Sequence, residues 1–303
     1  MGAFPDVPVR NCKHYRYTRY QPNTLRDITM AFEIDTGTDH LLATLNEGVL
    51  TLTLNRPEAR NAMSRELVGA LSEQLKAAEQ NVDVRCIVLT GAGSAFCAGG
   101  DVKNMAQQQK TGRKSTLDEA IHRQRVSQRA TAGRLYKIPK PTLAVITGAA
   151  AGAGLSLALA CDMRIMSSKA FFTTAFANVG FSGDYGGTLF MSQLIGTAKT
   201  RELYFLSERV NSAQSLALGL TNWVEEPDAL QAKAAEIANR LASGPSIAFR
   251  YMKENINRAH ASGDVDDCLD LEATHHIHCA ATEDHKNAVK AFMEKRKPEF
   301  KGL

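Results

Sequence analysis

Two short segments rich in glycine and alanine each follow an apolar run, and they constrain this chain more than any other feature. The run CIVLTG leads into residues 95–101, and the run TLAVITG leads into residues 148–154. Short apolar runs rich in β-branched residues are typical of buried strands in a parallel sheet. The small residues that follow allow backbone N–H groups to approach a ligand closely. The sequence therefore predicts an α/β fold with two ligand-facing turns at the ends of strands.

The surrounding sequence supplies the other strands and helices that such a fold needs. Apolar and polar residues alternate on both sides of residues 46–48 (Asn-Glu-Gly), which predicts a β-hairpin. Ser64 precedes a run with leucines at helical spacing, so we expect a helix capped by its hydroxyl. Two further strands are expected in CDMRIMS and AFFTTAF, and from Thr188 onward the periodicity is almost wholly helical. These patterns predict a β/α region followed by a helical section.

The chain of 303 residues divides into three regions by composition. Residues 1–39 are predicted to be a basic, poorly ordered N-terminal extension, residues 40–235 the α/β core, and residues 236–303 a C-terminal helical region. The net charge of +4 is concentrated in residues 1–29, which carry five basic and two acidic side chains. The rest of the chain is nearly neutral, so nucleic acid is not the expected partner, although a basic arm with tyrosines leaves RNA binding open.

Composition excludes several other classes of protein. With 44% hydrophobic and 22% charged residues, the chain is neither disordered nor collagen-like. No apolar run has the length of a membrane span or of a secretory signal, so a cytoplasmic protein without membrane contact is expected. The six cysteines lack the paired short spacing of zinc or redox sites. His275 and Cys279 lie one helical turn apart, but we expect no metal there, because they are remote from the two turns.

Five sequence motifs together resemble those of the enoyl-CoA hydratase/isomerase family, the crotonases. The motifs are NRPEARNA at 55–62, FCAGGD at 96–101, AAGAGLSLALACD at 150–162, GGT at 186–188 and FMEKRKPEF at 292–300. The resemblance runs from about Leu41 to the C-terminus. It implies a ClpP/crotonase-like α/β fold of repeated ββα units, with C-terminal helices that assemble a homotrimer or a dimer of trimers. It also implies an acyl-CoA substrate, with coenzyme A entering as part of that substrate and no resident cofactor or metal.

The resemblance assigns a role to the two turns. In the family, two backbone N–H groups bind the thioester oxygen, and matching the motifs puts these donors at Cys97 and Ala153. Reactions beside a thioester carbonyl pass through an enolate, which fixed donors stabilise by typically 10²–10³ in rate each. Cys97 is therefore expected to act through its amide and not through its sulfur.

This chain departs from the family at the two glutamates of typical hydratases. Those positions match Ser156 and Phe176, neither of which can activate water or deliver a proton by itself. The carboxylate left nearby is Asp184. A single carboxylate is sufficient for a 1,3-proton shift, which favours an isomerase of unsaturated acyl-CoA. Hydration by Asp184 with help from Ser156 or Tyr185 is the first alternative; dehalogenation or hydrolysis of an acyl-CoA and a non-catalytic RNA-binding role remain further alternatives.

The neighbours of Asp184 in the sequence suit a proton carrier. Phe176, Phe181 and Tyr185 are expected to shield the carboxyl from water and to raise its pKa. The competing interpretation is that Asp184 caps the helix that begins near Gly187.

The remaining candidate residues follow from the matched motifs. The acyl pocket is assigned to Ser156, Phe176, Tyr185 and Thr174. Contacts to coenzyme A are assigned to Arg56, Arg60, Ala98, Asp101, Val102, Lys103, Phe292 and Lys295.

Overall fold

The structure, a computed structural model, describes residues 32–101 and 116–303. Its strands are β1 Phe32–Ile34, β2 Leu41–Asn46, β3 Val49–Leu54, β4 Cys86–Gly91, β5 Ala95–Cys97, β6 Thr142–Ile146, β7 Ala149–Ala151, β8 Met163–Ser167, β9 Phe171–Thr173, β10 Val210–Asn211 and β11 Trp223–Glu225. Its helices are α1 Arg65–Gln80, α2 Leu117–Ala130, α3 Ala132–Lys137, α4 Ala153–Ala160, α5 Gly187–Leu206, α6 Ser212–Ala217, α7 Leu230–Ala242, α8 Ser246–Ser262, α9 Val265–Ala280 and α10 Glu283–Met293.

The strands form two sheets that alternate along the chain. The larger sheet has the order β1-β2-β3-β4-β6-β8-β11, and the smaller has the order β10-β9-β7-β5. Each of β4, β6 and β8 lies in the larger sheet and is followed by a strand of the smaller sheet, then by helix. These successive units are the repeated ββα units that the sequence resemblance implies.

Local sequence patterns predict the first elements correctly. The pair β2 and β3 is antiparallel, with Asn46 opposite Val49, so Glu47 and Gly48 form a two-residue turn. Both turn residues have positive φ, which is the geometry this hairpin turn requires. Ser64 caps α1 by accepting a hydrogen bond from the Leu67 N–H. The predicted hairpin and capped helix are therefore confirmed.

Helix α4 lies at the centre of the packing. All eight of its residues are buried, and it packs on α3, α5 and β7. On the other side of the larger sheet, apolar residues of α7 pack against β4, β6 and β8. Because α4 is enclosed on every side, its N-terminus is held rigidly at the ends of β5 and β7.

The structure changes three of the expectations about organisation. Part of the predicted extension, Phe32–Ile34, is strand β1 and pairs with β2, whereas residues 1–31 lie outside the described residues. The expected boundary at 235/236 falls inside α7, which packs on the sheet as part of the core. The section after Thr188 also holds two strands, since β10 pairs with β9 and β11 pairs with β8. Short strands such as these carry little periodicity of their own.

Helices α8 to α10 complete the C-terminal region. Helices α8 and α9 pack against each other, and apolar side chains on them remain exposed, among them Met252, Ile256, Leu269 and Ile277. Within residues 32–101 and 116–303, no helix is both long and apolar enough to cross a membrane.

Candidate active site

The two glycine-rich turns meet in the structure, as the sequence predicts. A Cβ atom added to Gly99 would lie 2.8 Å from the Ala151 carbonyl oxygen and 3.4 Å from the Ala153 nitrogen. A Cβ added to Gly154 would overlap the backbone and side chain of Cys97. Glycine is needed at both positions because any side chain there would push the turns apart.

Within the described ranges, the Ala153 N–H at the start of α4 makes no hydrogen bond. Ala153 is the first residue of the helix, where backbone N–H groups have no partner within the helix. The preceding Gly152 has a φ of 52° and makes no side-chain cap. The helix dipole adds partial positive charge at the same point. This is the geometry expected for a donor to a developing oxyanion.

Cys97, in contrast, does not fit the donor role that the resemblance assigns to it. It is fully buried in β5, opposite Ala150 of β7. Where two parallel strands pair, the hydrogen bond donated from one strand to the other comes either from the N–H of the paired residue or from the N–H of the residue after it. Because the Ala98 N–H donates to the Arg60 carbonyl at 2.9 Å, the pairing uses the Cys97 N–H. Its thiol is engaged too, donating to the Asn61 carbonyl at 3.0 Å.

Gly100 takes the place of Cys97 in this geometry. The Gly99 N–H is directed at the Cys97 sulfur. Gly100 forms a parallel bridge with Met63, in which the Met63 N–H donates to the Gly99 carbonyl and not to Gly100. Within the described parts of the chain, the Gly100 N–H makes no hydrogen bond. Gly100 is also partly exposed, whereas Cys97 is fully buried. The amide that the structure leaves without a partner is thus three residues further along the same motif.

An ion pair beneath the first turn holds its shape. The Arg56 guanidinium lies 3.0 Å from the Asp101 carboxylate and also donates to the Ala62 carbonyl at 2.7 Å. Their side chains are only 12% and 13% exposed. Both residues were expected to contact coenzyme A, and the structure instead pairs them with each other. Their charges support the turn, which leaves little of either for a phosphate.

Asp184 lies in the connection between β9 and α5, and its carboxyl is partly buried. Burial raises the pKa of Asp184 from 3.8 to about 6. The Oδ1 atom is buried and has no hydrogen-bond partner in the described ranges. The N-cap of α5 is Gly186, and no side chain caps that helix. The capping interpretation of Asp184 is therefore wrong, and the expected rise in its pKa is confirmed.

Hydroxyl and aromatic side chains lie near the turn that carries this carboxyl. A Cβ on Gly187 would overlap Ser156 Oγ and lie 2.7 Å from the Tyr204 hydroxyl oxygen. The Tyr204 ring stacks on Phe176 with ring centroids 5.7 Å apart. Phe176 in turn lies against Gly152, at the start of α4. Ser156 thus lies beside Gly187, and Phe176 lies beside Gly152, while their roles toward a substrate stay predictions.

Of the other aromatic residues expected beside Asp184, Phe181 is 59% exposed and cannot shield the carboxyl. Tyr185 is buried, but its hydroxyl lies 3.1 Å from Ser127 Oγ and its N–H donates to Gln128. Tyr185 thus ties the Asp184 turn to α2.

The remaining predicted residues divide into four groups. Thr174 was expected to line the acyl pocket. It is buried, and its hydroxyl donates to the Leu203 carbonyl at 2.8 Å, so that hydroxyl is not free to contact a substrate. Arg60 and Ala98 lie together at the first turn, and Arg60 is exposed. Phe292 on α10 and Lys295 just after it are exposed. Val102 and Lys103 lie outside the described residues.

His275 takes part in helix packing. It stacks on Tyr251 with ring centroids 4.1 Å apart, and its Nδ1 lies 2.5 Å from Asn255 Oδ1. Among the residues that the structure describes, no group of three or more His, Cys, Asp or Glu side chains is arranged to hold a metal ion.

Comparison with known proteins decides the family. The enoyl-CoA hydratase/isomerase family model matches residues 44–303. The chain belongs to this family. It is 35% identical over 264 residues to the 1,2-epoxyphenylacetyl-CoA isomerase of Escherichia coli, covering 87% of this chain and 99% of that protein. It is also 35% identical over 254 residues to the short-chain-enoyl-CoA hydratase of Clostridium acetobutylicum, covering 83% and 93%.

Solved structures of the enoyl-CoA hydratase/isomerase family confirm the fold. An enoyl-CoA hydratase from Polaromonas sp. JS666 superimposes with a TM-score of 0.80 at 32% identity, covering 86% of this chain and 99% of that one. The crotonase fold and an acyl-CoA-processing family are thereby established. Because relatives at equal identity are named an isomerase and a hydratase, the family does not separate the two reactions.

Two residues that the structure brings to the candidate site were not predicted from the sequence. Gly100 belongs to the first turn, but composition does not reveal which of several successive amides remains unpaired. Tyr204 comes 20 residues after Asp184, inside a predicted helix. Gly183 and Gly187 lie on either side of Asp184, and they are the sequence signal that could have indicated a close neighbour such as Tyr204. Glycines beside a carboxyl leave room for another side chain to approach.

Proposed function

We propose that this protein isomerises an unsaturated acyl-CoA, with Asp184 as the single acid/base group. The Gly100 and Ala153 N–H groups bind the thioester oxygen and stabilise the enolate that forms when a proton leaves the adjacent carbon. Donors of this kind are typically worth 10²–10³ in rate each. The carboxylate takes the proton from one carbon and returns it to another, so the double bond moves without a second acid.

The observation that carries this proposal is the state of the Asp184 carboxyl. It is partly buried, Oδ1 has no partner in the described ranges, and its pKa is raised to about 6. A carboxyl with a pKa near the working pH both accepts and returns a proton efficiently. Ser156 and Phe176 occupy the positions of the two family glutamates, so no second carboxylate is expected at those positions.

Hydration of a 2-enoyl-CoA is the second candidate function. The name of the Clostridium acetobutylicum relative favours it, as does the pair of hydroxyls contributed by Ser156 and Tyr204 beside Asp184. The name of the Escherichia coli relative favours isomerisation. The two reactions share the enolate and differ in whether an oxygen atom is added.

The test is to incubate the purified protein with 2-enoyl-, 3-enoyl- and dienoyl-CoA in deuterated water and to follow products by mass spectrometry. We expect deuterium at the carbons that lose or gain a proton when the double bond moves. We also expect the rate to fall by roughly 10²–10⁴ in Asp184→Asn. Asp228→Asn, at an exposed position between β11 and α7, is the matched control. Equal rates for Asp184→Asn and wild type would overturn the proposal.

The coenzyme A contacts belong to the same proposal. Arg60 and Ala98 at the first turn, Val102 and Lys103 after it, and the exposed Phe292 and Lys295 are the proposed set. The trimer or dimer of trimers and the cytoplasmic location stay predictions.

A further inference from the structure

Tyr204 reaches the Asp184 turn because α5 is broken. In a straight α-helix, residue 204 would lie about 25 Å along the axis from residue 187. Gly196 has a φ of 75° and a ψ of 163°, values that end the first helical segment and redirect the second. The second segment therefore returns toward the start of the first. Only glycine adopts this conformation without strain.

The Tyr204 hydroxyl comes to lie over the turn that carries Asp184. Its oxygen is 2.7 Å from the Cβ position at Gly187 and 3.8 Å from the Cβ position at Gly183. Ser156 Oγ is closer still to the Gly187 position, so the two hydroxyl oxygens lie within about 5 Å of each other. One oxygen atom between them can hydrogen-bond to both, since such bonds span about 2.5–3.0 Å.

Both hydroxyls have hydrogen-bonding capacity that the described chain leaves unused. Ser156 Oγ donates a long hydrogen bond of 3.3 Å to the Gly152 carbonyl, which leaves its lone pairs able to accept. The Tyr204 hydroxyl makes no hydrogen bond with the rest of the described chain. Burial raises the pKa of Tyr204 above its ordinary value, so its phenol remains a neutral donor. A purely hydrocarbon acyl chain would leave these groups unpaired, which is unfavourable once water is excluded.

We propose that Tyr204 and Ser156 form an oxygen-binding subsite of the acyl pocket, in which their hydroxyls hydrogen-bond one neutral oxygen atom beside the Asp184 carboxyl. The oxygen comes either from water or from a hydroxyl group at C3 of the acyl chain. This inference rests on the proposed function, because it takes the acyl chain to lie between Asp184 and the two turns. With water as the bound oxygen, it corresponds to the hydration candidate. It adds a residue that determines which acyl-CoA the enzyme accepts.

The subsite would act in a balanced addition of water to a 2-enoyl thioester. The water oxygen forms a bond to C3 as the electron pair of the C2–C3 double bond moves into the thioester enolate. The Asp184 carboxylate takes one proton from the water and delivers a proton to C2. In the reverse direction, the same hydroxyls hold the departing oxygen. No oxidant or further reactant is needed.

Binding affinities test the subsite directly. Wild-type protein is titrated with 3-hydroxybutyryl-CoA and with butyryl-CoA, which differ by one hydroxyl group. We expect wild type to bind the hydroxylated compound about 3- to 10-fold more tightly, as one or two hydrogen bonds would give. Tyr204→Phe keeps the stacking on Phe176 and should lose most of that preference, as should Ser156→Ala.

Tyr136→Phe is the matched control, because Tyr136 is also a partly buried tyrosine in ring contact, with Phe190 at 5.1 Å. It should keep the wild-type preference. An unchanged preference in Tyr204→Phe, with the fold verified by circular dichroism, would overturn the subsite. Equal binding of both compounds by wild type would also overturn the subsite, if no ¹⁸O label enters the product in the experiment below.

Incubation of butenoyl-CoA in water labelled with ¹⁸O identifies the source of the oxygen. Label in the product, formed more slowly by Tyr204→Phe, assigns the subsite to water. A binding preference without label assigns it to a substrate hydroxyl, and both results support the subsite. Failure of the proposed function is seen separately, as the absence of deuterium exchange by wild type.

Discussion

Removing the charge of Asp184 should stabilise the folded protein at neutral pH while it abolishes activity. The pKa of this carboxyl is about 6 in the folded chain against an ordinary value of 3.8, because burial disfavours its ionised form. The folded state therefore binds this proton more tightly than the unfolded state does. By linkage, stability falls as the pH rises from about 4 to about 6 and then stays level.

The magnitude follows from the difference between the two pKa values. It corresponds to about 3 kcal/mol if the carboxyl were fully shielded, and partial exposure to solvent reduces this to about 1–2 kcal/mol. Asp184→Asn, which has nearly the same shape and no charge, should be more stable than wild type by that amount at pH 8. Below pH 4 both side chains are neutral, and the difference should disappear.

Urea unfolding followed by circular dichroism at pH 3.5 and pH 8 measures the two differences. Asp228→Asn, in an exposed connection, should show no comparable change between the two pH values. If Asp184→Asn differs from wild type by the same free energy at both, then the carboxyl is not destabilised by burial. Asp184 would then not be a proton carrier whose pKa is tuned by burial.

Other substitutions test the packing around the site. Gly154→Ala should destabilise the protein by about 1–3 kcal/mol, because a methyl group at this position overlaps Cys97. An unchanged melting temperature would contradict the close contact of the two turns. Gly196→Ala should cost about 1–3 kcal/mol through backbone strain alone, since nothing lies within 4 Å of the added atom, and a neutral effect on thermal unfolding would refute this. Lys253→Met should cost about 3–5 kcal/mol in urea unfolding, because it leaves Asp162 without the ammonium group 2.9 Å away; a loss below 1 kcal/mol would show that the pair is dispensable. Among the described residues, burial raises the pKa of the Cys86, Cys97 and Cys161 thiols to about 12, so iodoacetamide should leave these three unmodified in the native protein. The partly exposed Cys268 and Cys279 of the described chain should react, and mass spectrometry of the labelled protein distinguishes the two sets; labelling of the three buried thiols in the native protein would contradict their burial.

The sequence predicts features that depend on neighbours along the chain. The hairpin at residues 46–48, the Ser64 cap and the two glycine-rich turns are all set within a few residues, and each is found as expected. The family, and with it the fold, also follows from short motifs in order.

Features that depend on distant contacts could not be predicted in the same way. Residues Cys97 and Gly100 differ as donors only because the sheet uses one amide and not the other. The Arg56–Asp101 ion pair joins two motifs that were each expected to face coenzyme A. Tyr204 approaches Asp184 through a break at Gly196, and no local pattern shows where the second helical segment goes.

The proposed oxyanion donors of this protein belong to its main chain, whereas the proposed proton chemistry belongs to side chains on other segments. Substitutions that replace one side chain by another leave the Gly100 and Ala153 amides in place as long as the backbone keeps its course. The power to polarise a thioester is therefore hard to lose by single mutations, and the choice of reaction is easy to change. One fold can in this way diversify from isomerase to hydratase by exchanging a few residues such as Asp184, Ser156 and Tyr204, without passing through an intermediate that no longer activates its substrate.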